Sequence, residues 1–139
     1  MDDFDAFERD LLNLANAFKK GKYAKQHLRR EGSKLKRATV KVAKQKVKIK
    51  TGNYIKGIKR GKVYFFKGTG AYSVRVYGGH PAYHAHLIEY GHRRIARDGS
   101  EHGFTHGYYV FEKALKGYES KYVENTRGFI DKLIDQHGF

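Results

Sequence analysis

The stretch Tyr83–His92 reads Tyr-His-Ala-His-Leu-Ile-Glu-Tyr-Gly-His and is the expected centre of the fold. It follows the only proline, Pro81. Proline suits the first turn of a helix, where a backbone N–H has no partner in any case. Gly91 suits the left-handed position just past a helix end. The stretch therefore predicts a short helix with defined ends.

One face of this helix is expected to be aromatic and aliphatic. Tyr83, Leu87 and Tyr90 recur at i, i+4 and i+7, which places them on one side of a helix. Glu89 is an acid in a strongly basic chain, three residues after His86. The spacing predicts an intrahelical pair between these two side chains.

Two helical segments are expected before the centre. The first carries apolar residues at alternating spacings of three and four: Phe4, Phe7, Leu11, Leu14 and Phe18. Gly21 is expected to end it. The second runs from Lys22 to about Val47 with a narrower stripe: Ala24, Leu28, Leu35, Ala38 and Val42. Alternation between 40 and 50 leaves open that the end of this segment is a strand.

A short turn and a hairpin are expected next. Thr51 is a candidate N-cap, followed by Gly52, for one helical turn with Tyr54, Ile55 and Ile58 on one face. Alternating residues then predict strands over 62–67 and 71–78, which a glycine-containing loop joins as a hairpin. Because a lone hairpin is marginal in water, helices must cover its apolar face.

The chain after the centre divides into a loop region and a helix. The glycine- and histidine-rich segment 91–107 is read as a long exposed interaction loop, or as two extended pieces around Asp98-Gly99. From Tyr109 to about Asp135 one long helix is expected, with this apolar stripe: Phe111, Leu115, Tyr118, Tyr122, Phe129 and Leu133. The predicted fold is a single α+β domain over 1–139, with helices packed on a small antiparallel sheet.

Length and composition narrow the class of protein. A chain of 139 residues fits one domain. It has no cysteine, which excludes disulfides, thiolate chemistry and cysteine-ligated metals. Its apolar runs are too short to span a bilayer, and its acidic start is the opposite of a signal peptide. We expect a soluble protein that stays in the compartment where it is made.

The net charge of +15 is concentrated in one block. From Lys19 to Lys67 there are 19 Lys and Arg against the single acid Glu31, so this block carries +18 and the rest of the chain −3. Such a block predicts an anionic partner, namely nucleic acid, an acidic protein or an anionic membrane, or else a solvated face. The candidate contacts are Lys25, Arg29, Lys36, Arg37, Lys41, Lys44 and Lys48.

Catalytic and metal chemistry find little support in the sequence. His84 and His86 point about 200° apart on a helix with roughly 3.6 residues per turn, so they cannot share one ion. Glu89 has no second carboxylate near it in sequence, which leaves a metal-dependent hydrolase as the weakest reading. Nucleophile-elbow and phosphate-loop motifs are absent. We expect no catalysis, no metal and no cofactor.

The order of motifs resembles a known family. Thr51-Gly52-Asn53-Tyr54, with Ile58 closing the turn, precedes a hairpin and then a block made of Tyr83, Ala85, Ile88, Glu89, Tyr90 and Gly91. Phe104 and Tyr108 to Leu115 then lead into the last helix. This order is similar to that of the gene-product-ten type of head–tail connector, or tail-completion protein, of tailed bacteriophages and phage-like particles. His92 stands where the family often has Thr or Ser, and the proline common before Thr-Gly is missing.

The resemblance implies a structural virion protein without catalytic residues, assembled in the bacterial host cytoplasm. Members form rings, commonly six-fold, at the particle neck, where the genome passes between the head connector and the tail tube or tail terminator. The implied turn residues are Thr51, Gly52 and Gly91. The implied subunit or partner contacts are Tyr83, His86, Glu89, Tyr90, His92, Arg93, Arg94 and Arg97. The alternative is a sequence-independent nucleic-acid-binding protein that uses the Lys19–Lys67 block.

Overall fold

A computed structural model describes residues 8–9, 12, 21–47, 52–68, 70–82 and 84–136. It confirms a mixed α+β fold with long helices at both ends of the described chain and antiparallel two-stranded sheets. The helices are α1 (Lys22–Lys46), α2 (Asn53–Lys56), α3 (Ala85–Tyr90) and α4 (Val110–Gln136). The strands are β1 (Ile58–Arg60), β2 (Tyr64–Phe66), β3 (Ala71–Ser73), β4 (Val76–Gly78), β5 (Gly91–Ile95) and β6 (Glu101–His106).

The chain divides into two compact units. The first comprises Met1–Glu31, Lys62–Val74 and Glu119–Phe139, and the second comprises Gly32–Gly61 and Arg75–Tyr118. Both long helices contribute residues to each unit. The predicted N-terminal amphipathic stripe from Phe4 to Phe18 lies outside the described residues.

Helix α1 confirms the predicted helix over Lys22–Val47, but its most buried positions differ from the predicted stripe. The predicted apolar residues are half-buried, whereas His27, Glu31, Thr39 and Ala43 are buried. These four positions are separated by multiples of four residues, the spacing of one helix face. Three of them are polar, so a search for apolar periodicity could not detect this face.

The first unit buries polar groups of α1 against α4 in hydrogen-bonded form. The His27 ring stacks on Phe129 with centroids 4.5 Å apart, and its Nε2 lies 2.8 Å from the Thr126 hydroxyl. The Asn125 amide donates to the Glu31 carboxylate at 3.3 Å. Because buried polar groups are costly unless they are paired, these contacts explain why His27 and Glu31 are tolerated on the buried face of α1.

The predicted hairpin over 62–67 and 71–78 is confirmed, but its second strand is divided. In the first unit β2 pairs with β3, with Tyr64 opposite Ser73 and Phe66 opposite Ala71. In the second unit β4 pairs with β1, with Arg60 opposite Val76. The two ladders differ in register by one residue, and β3 and β4 are separate strands within 71–78.

The core of the second unit forms where α1, α2, β1, α3 and α4 meet. Ile58 and Val110 are fully buried. They cluster with Ala43, Tyr54, Ala82 and Ala85. Gly78 and Ala85 must be small for steric reasons, since a Cβ on Gly78 would overlap the Cβ of Ala85. Close approach between β4 and α3 therefore requires glycine on one side and alanine on the other.

Helix α3 corrects three details of the predicted centre. It begins at Ala85, while Pro81 lies in a turn after a cis His80–Pro81 peptide and not in the first helical turn. The buried face is formed by Ala85 and Glu89, whereas Tyr90 of the predicted stripe is 65% exposed. Ala85 is buried because only a small side chain fits against β4 there. Tyr83 lies outside the described residues.

The segment 91–107 forms a β-hairpin, which confirms the second of its two predicted forms. Strands β5 and β6 pair with Gly91 opposite His106, and the register shifts between Arg93 and Ile95. The turn is held by Asp98, whose Oδ1 accepts hydrogen bonds from the Ser100 hydroxyl at 2.6 Å and the Ser100 N–H at 2.9 Å. These bonds lower the pKa of the exposed Asp98 carboxyl.

Two smaller predictions are corrected at the ends of helices. Gly52, with φ 75°, occupies the N-cap position of α2 that was expected for Thr51, which itself lies outside the described residues. Ile58 begins β1 and does not continue the helical turn. Helix α4 confirms the predicted C-terminal helix, but Leu115 and Tyr122 of its predicted stripe are exposed. Its buried positions are Val110, Ala114, Tyr118 and Leu133.

Gly91→Ala is expected to destabilise the second unit far more than Gly99→Ala. Both glycines have φ near +85°, where an alanine is strained by roughly 1–2 kcal/mol. A Cβ on Gly91 would also overlap the Thr105 carbonyl oxygen, whereas a Cβ on Gly99 meets nothing within 4 Å. We expect a loss of about 3 kcal/mol for Gly91→Ala and about 1 kcal/mol for Gly99→Ala. Chemical unfolding measures both, and equal losses would contradict the steric argument.

Candidate functional site

The carboxylate of Glu89 caps the long helix α4. Its side chain is 6% exposed. Oε1 accepts a hydrogen bond from the Phe111 N–H at 2.9 Å, and Oε2 accepts one from the Glu112 N–H at 3.1 Å. These donors belong to the first turn of α4 and have no acceptor within the helix. The carboxylate thus acts as an N-cap supplied from 22 residues earlier in the chain.

This geometry corrects the predicted pair between Glu89 and His86. His86 is exposed, whereas Glu89 faces the start of α4. A negative charge at a helix N-terminus is stabilised both by hydrogen bonds and by the helix dipole. The Glu89 carboxylate is therefore held in place by two backbone N–H groups of α4.

Backbone hydrogen bonds reinforce the same junction. The Tyr108 N–H donates to the Ile88 carbonyl at 2.8 Å, and the Tyr109 N–H donates to the Glu89 carbonyl at 3.1 Å. Tyr109 has φ +51°, an uncommon conformation for an aromatic residue, at the position before α4. Gly107 packs so closely on the Glu89 carbonyl that a Cβ there would overlap it. The end of α3, the base of the β5–β6 hairpin and the start of α4 are therefore tied together.

Tyr54 lies beneath this junction with an unsatisfied hydroxyl. Its ring packs edge-on against Phe111 with centroids 6.5 Å apart. Among the described residues, the buried Tyr54 hydroxyl has no hydrogen-bond partner. Burial, and secondarily the negative charge of Glu89, raises the pKa of Tyr54 to about 12. Deprotonation of the Tyr54 phenol therefore requires a higher pH than that of an ordinary tyrosine.

The β5–β6 hairpin is exposed over most of its length. His92, Arg93, Arg94 and Arg97 all lie on the surface, as the sequence predicted for a contact segment. Arg93 forms a salt bridge with Glu101 at 3.0 Å across the ladder. Large apolar side chains are exposed on the same hairpin, namely Ile95 and Phe104. A surface of arginine and apolar side chains is suited to contact with another macromolecule.

The hairpin turn brings together residues that resemble hydrolase groups, but in the wrong order. The Ser100 hydroxyl donates to Asp98 Oδ1 and lies 2.9 Å from His102 Nε2. In a Ser-His-Asp triad the carboxylate orients the histidine, which then activates the serine. Here the Asp98 carboxylate accepts a hydrogen bond from the serine itself and does not hold the histidine as a triad carboxylate would. Across the described ranges, no cluster of three His, Asp or Glu side chains could hold a metal ion.

The predicted contacts for an anionic partner are largely on the surface of α1. Lys25 is half-buried, with its ammonium group 5.4 Å from the centroid of the Tyr72 ring. The other described members are exposed: Arg29, Lys36, Arg37, Lys41 and Lys44. Lys48 lies outside the described residues. These side chains are accessible to an anionic ligand.

Sequence reasoning missed the cap formed by Glu89, although one signal pointed to it. Glu89 is the only acid between Glu31 and Asp98 in a strongly basic chain. An isolated acid in such a setting suggests a specific partner. The partner could not be named because hydrogen bonds over 22 residues leave no local spacing signal.

Comparison with known proteins gave no match to a family profile, a curated protein or a solved structure. Over the described residues, every helix is too short or too polar to cross a membrane.

Glu89→Ala is expected to destabilise the protein by about 2–4 kcal/mol, because two N–H groups of α4 lose their acceptors. Glu89→Gln keeps one acceptor oxygen and is expected to lose about half as much. Glu112→Ala, which removes an exposed acid from the same helical turn and its pair with Lys116, is the control and should cost at most about 1 kcal/mol. Urea unfolding measures all three. A Glu89→Ala variant as stable as the control would refute the cap.

Tyr54→Phe is expected to flatten the alkaline limb of the stability profile. The Tyr54 pKa is about 12 in the folded state and near 10 when the chain unfolds. A raised folded pKa contributes stability below pH 10 that is lost as the pH rises toward 12. The variant removes this loss together with an unpaired hydroxyl. Unfolding midpoints at about pH 9 and pH 11 measure it, with the exposed Tyr90→Phe as control.

Proposed function

We propose that the protein is a structural subunit that self-associates into a ring at the neck of a phage or phage-like particle. The proposal is supported by the sequence order of Thr-Gly turn, hairpin and Glu-x-Gly helix described above. The observation that carries it is the exposed β5–β6 hairpin, whose base is fixed by the Glu89 cap and the backbone bonds around it. A hairpin with a fixed base presents the same surface on every copy.

The chemistry of the hairpin favours a protein neighbour. Arginine and aromatic residues are enriched in protein interfaces, and the hairpin exposes Arg93, Arg94, Arg97 and Phe104. Tyr90, at the end of α3, adds an aromatic side chain next to the base of the hairpin. Contact between this surface and a different surface of a neighbouring copy would be head-to-tail, the type of contact that closes into a ring.

In this proposal the ring lies between the head connector and the tail tube or tail terminator, and the genome passes through it. No residue is catalytic. The exposed lysines of α1 face acidic neighbouring proteins or solvent and do not line the channel, because strong attraction would oppose the movement of DNA.

The exposed basic surface of α1 favours a second candidate function, sequence-independent binding of nucleic acid. Lys36, Arg37, Lys41 and Lys44 are exposed, and no acid occurs between Glu31 and Glu89. Such a surface attracts phosphates without reading base sequence, and its affinity falls steeply with salt. A titration at low salt that detects no binding to duplex DNA would exclude this candidate.

Ring formation is tested by size-exclusion chromatography with light scattering, on the free protein and on neck complexes from particles. We expect a concentration-dependent oligomer that Arg94→Glu reduces to monomer. Lys121→Glu, a charge reversal on an exposed position of α4, is expected to assemble normally. If the protein is monomeric at all concentrations and absent from particles, the proposal is wrong.

A further inference from the structure

The β2–β3 hairpin of the first unit exposes an unusual amount of aromatic surface. Tyr64, Phe65 and Phe66 are consecutive, and their side chains are 44%, 53% and 49% exposed. Neighbouring residues of a strand point to opposite faces. Aromatic surface is therefore accessible on both sides of this hairpin.

The two faces of the hairpin differ in what lies across the ladder. Tyr64 is opposite Ser73 and Phe66 is opposite Ala71, so both rings on this face stand beside small residues. We call Tyr64 and Phe66 the aromatic shelf. On the other face Phe65 is opposite Tyr72, and these rings pack edge-to-face with centroids 5.4 Å apart. The rings of the aromatic shelf thus have small side chains opposite them, whereas Phe65 on the other face has a ring opposite it.

The surroundings of the shelf are basic. Exposed lysines flank β2 on both sides, Lys62 before it and Lys67 after it. The hairpin lies within the run 32–88, which contains no Asp or Glu. A ligand for this surface must therefore combine negative charge with flat apolar groups, which is the chemistry of nucleic acid with accessible bases.

Ring geometry narrows the ligand to a single strand. The Tyr64 and Phe66 rings are inclined at 81° with centroids 6.5 Å apart. Paired bases in a duplex are parallel and already stacked, so they cannot meet two nearly perpendicular rings. Splayed bases of a single strand can. We infer that the aromatic shelf binds single-stranded nucleic acid by base stacking, with Lys62 and Lys67 contacting its phosphates.

Two other occupants fit the surface less well. Insertion into an anionic lipid surface would place the end of the hairpin in the membrane first, and that end carries Lys67, Gly68 and Gly70 ahead of the aromatic rings. The same surface of a second copy would place like charges opposite each other, because the Lys19–Lys67 block carries +18. The inference deepens the nucleic-acid-binding candidate and rests on it for the class of ligand, but it is independent of ring assembly.

The test uses a single tryptophan, because the natural chain has none. Phe66→Trp places the reporter on the shelf, and Phe65→Trp places it on the opposite face as the matched control. Each full-length variant is titrated at low salt with oligothymidylate longer than the roughly 4–16 nucleotides that a comparable site covers. We expect fluorescence quenching of Phe66→Trp by the single strand, weak quenching by a duplex of the same length, and little change in Phe65→Trp. If Phe66→Trp fails to fold by circular dichroism, Tyr64→Trp reports on the same shelf.

The paired variant Tyr64→Leu/Phe66→Leu separates stacking from simple apolar contact, since leucine keeps apolar area but has no π face. We expect its affinity for the single strand to fall about five- to hundred-fold, in line with measured losses for base–aromatic stacking. Unchanged affinity would overturn the inference. Fluorescence that responds to anionic vesicles alone, or to protein concentration alone, would overturn it in favour of a membrane or a sister copy.

A charge variant keeps the two ideas distinguishable. This variant replaces four exposed basic residues of α1 by glutamine: Lys36→Gln, Arg37→Gln, Lys41→Gln and Lys44→Gln. If α1 is a phosphate-binding face, the variant should bind duplex DNA more weakly. The preference of the aromatic shelf for single strands should stay unchanged. If this variant loses duplex binding while the leucine pair binds single strands normally, the inference about the aromatic shelf is wrong. Nucleic-acid binding by α1 would then still be supported.

Discussion

The two hydrogen bonds from the start of α4 to the Glu89 carboxylate are the constraint around which the second unit is arranged. They place a buried negative charge at the N-terminus of the longest helix, where the helix dipole favours it. Backbone bonds from Tyr108 and Tyr109 fix the peptide groups beside it. Because an unpaired buried charge is costly, separating the carboxylate from these N–H groups is unfavourable. The helix start, the end of α3 and the base of the β5–β6 hairpin therefore behave as one junction.

The junction lies between the buried core of the second unit and the exposed β5–β6 hairpin. Buried side chains of the second unit gather around Ile58 and Val110, whereas the β5–β6 hairpin leaves its arginines and large apolar residues on the surface. The first unit has a comparable division, with paired polar groups buried around His27 and aromatic rings exposed on β2. Each unit thus combines a packed interior with an exposed hairpin.

The long elements could be predicted from the sequence because helical periodicity over many turns is a strong local signal, and α1 and α4 begin and end within a residue or two of their expected bounds. The centre was harder. Pro81 and Tyr90 fit a helical pattern locally, but α3 begins at Ala85, which lies close to Gly78 and forms the buried face with Glu89. Polar burial at His27 and Glu31 depends on partners from α4. The exposure of Arg93, Arg94 and Arg97 agrees with the expected exposed segment, while their role as contacts comes from the family resemblance and stays a prediction. The cap on α4 could not be predicted, since Glu89 and the Phe111 N–H that it binds lie 22 residues apart in the sequence.

The turn at Asp98 has a consequence for how the hairpin could vary. It is closed by bonds among Asp98, Ser100 and the Ala96 backbone, all at the distal end and far along the ladder from Gly91 and Gly107. Lengthening or shortening the strands symmetrically would alter reach without disturbing the buried carboxylate. A change in strand length would thus alter how far this hairpin projects while the Glu89 carboxylate keeps its contacts with α4.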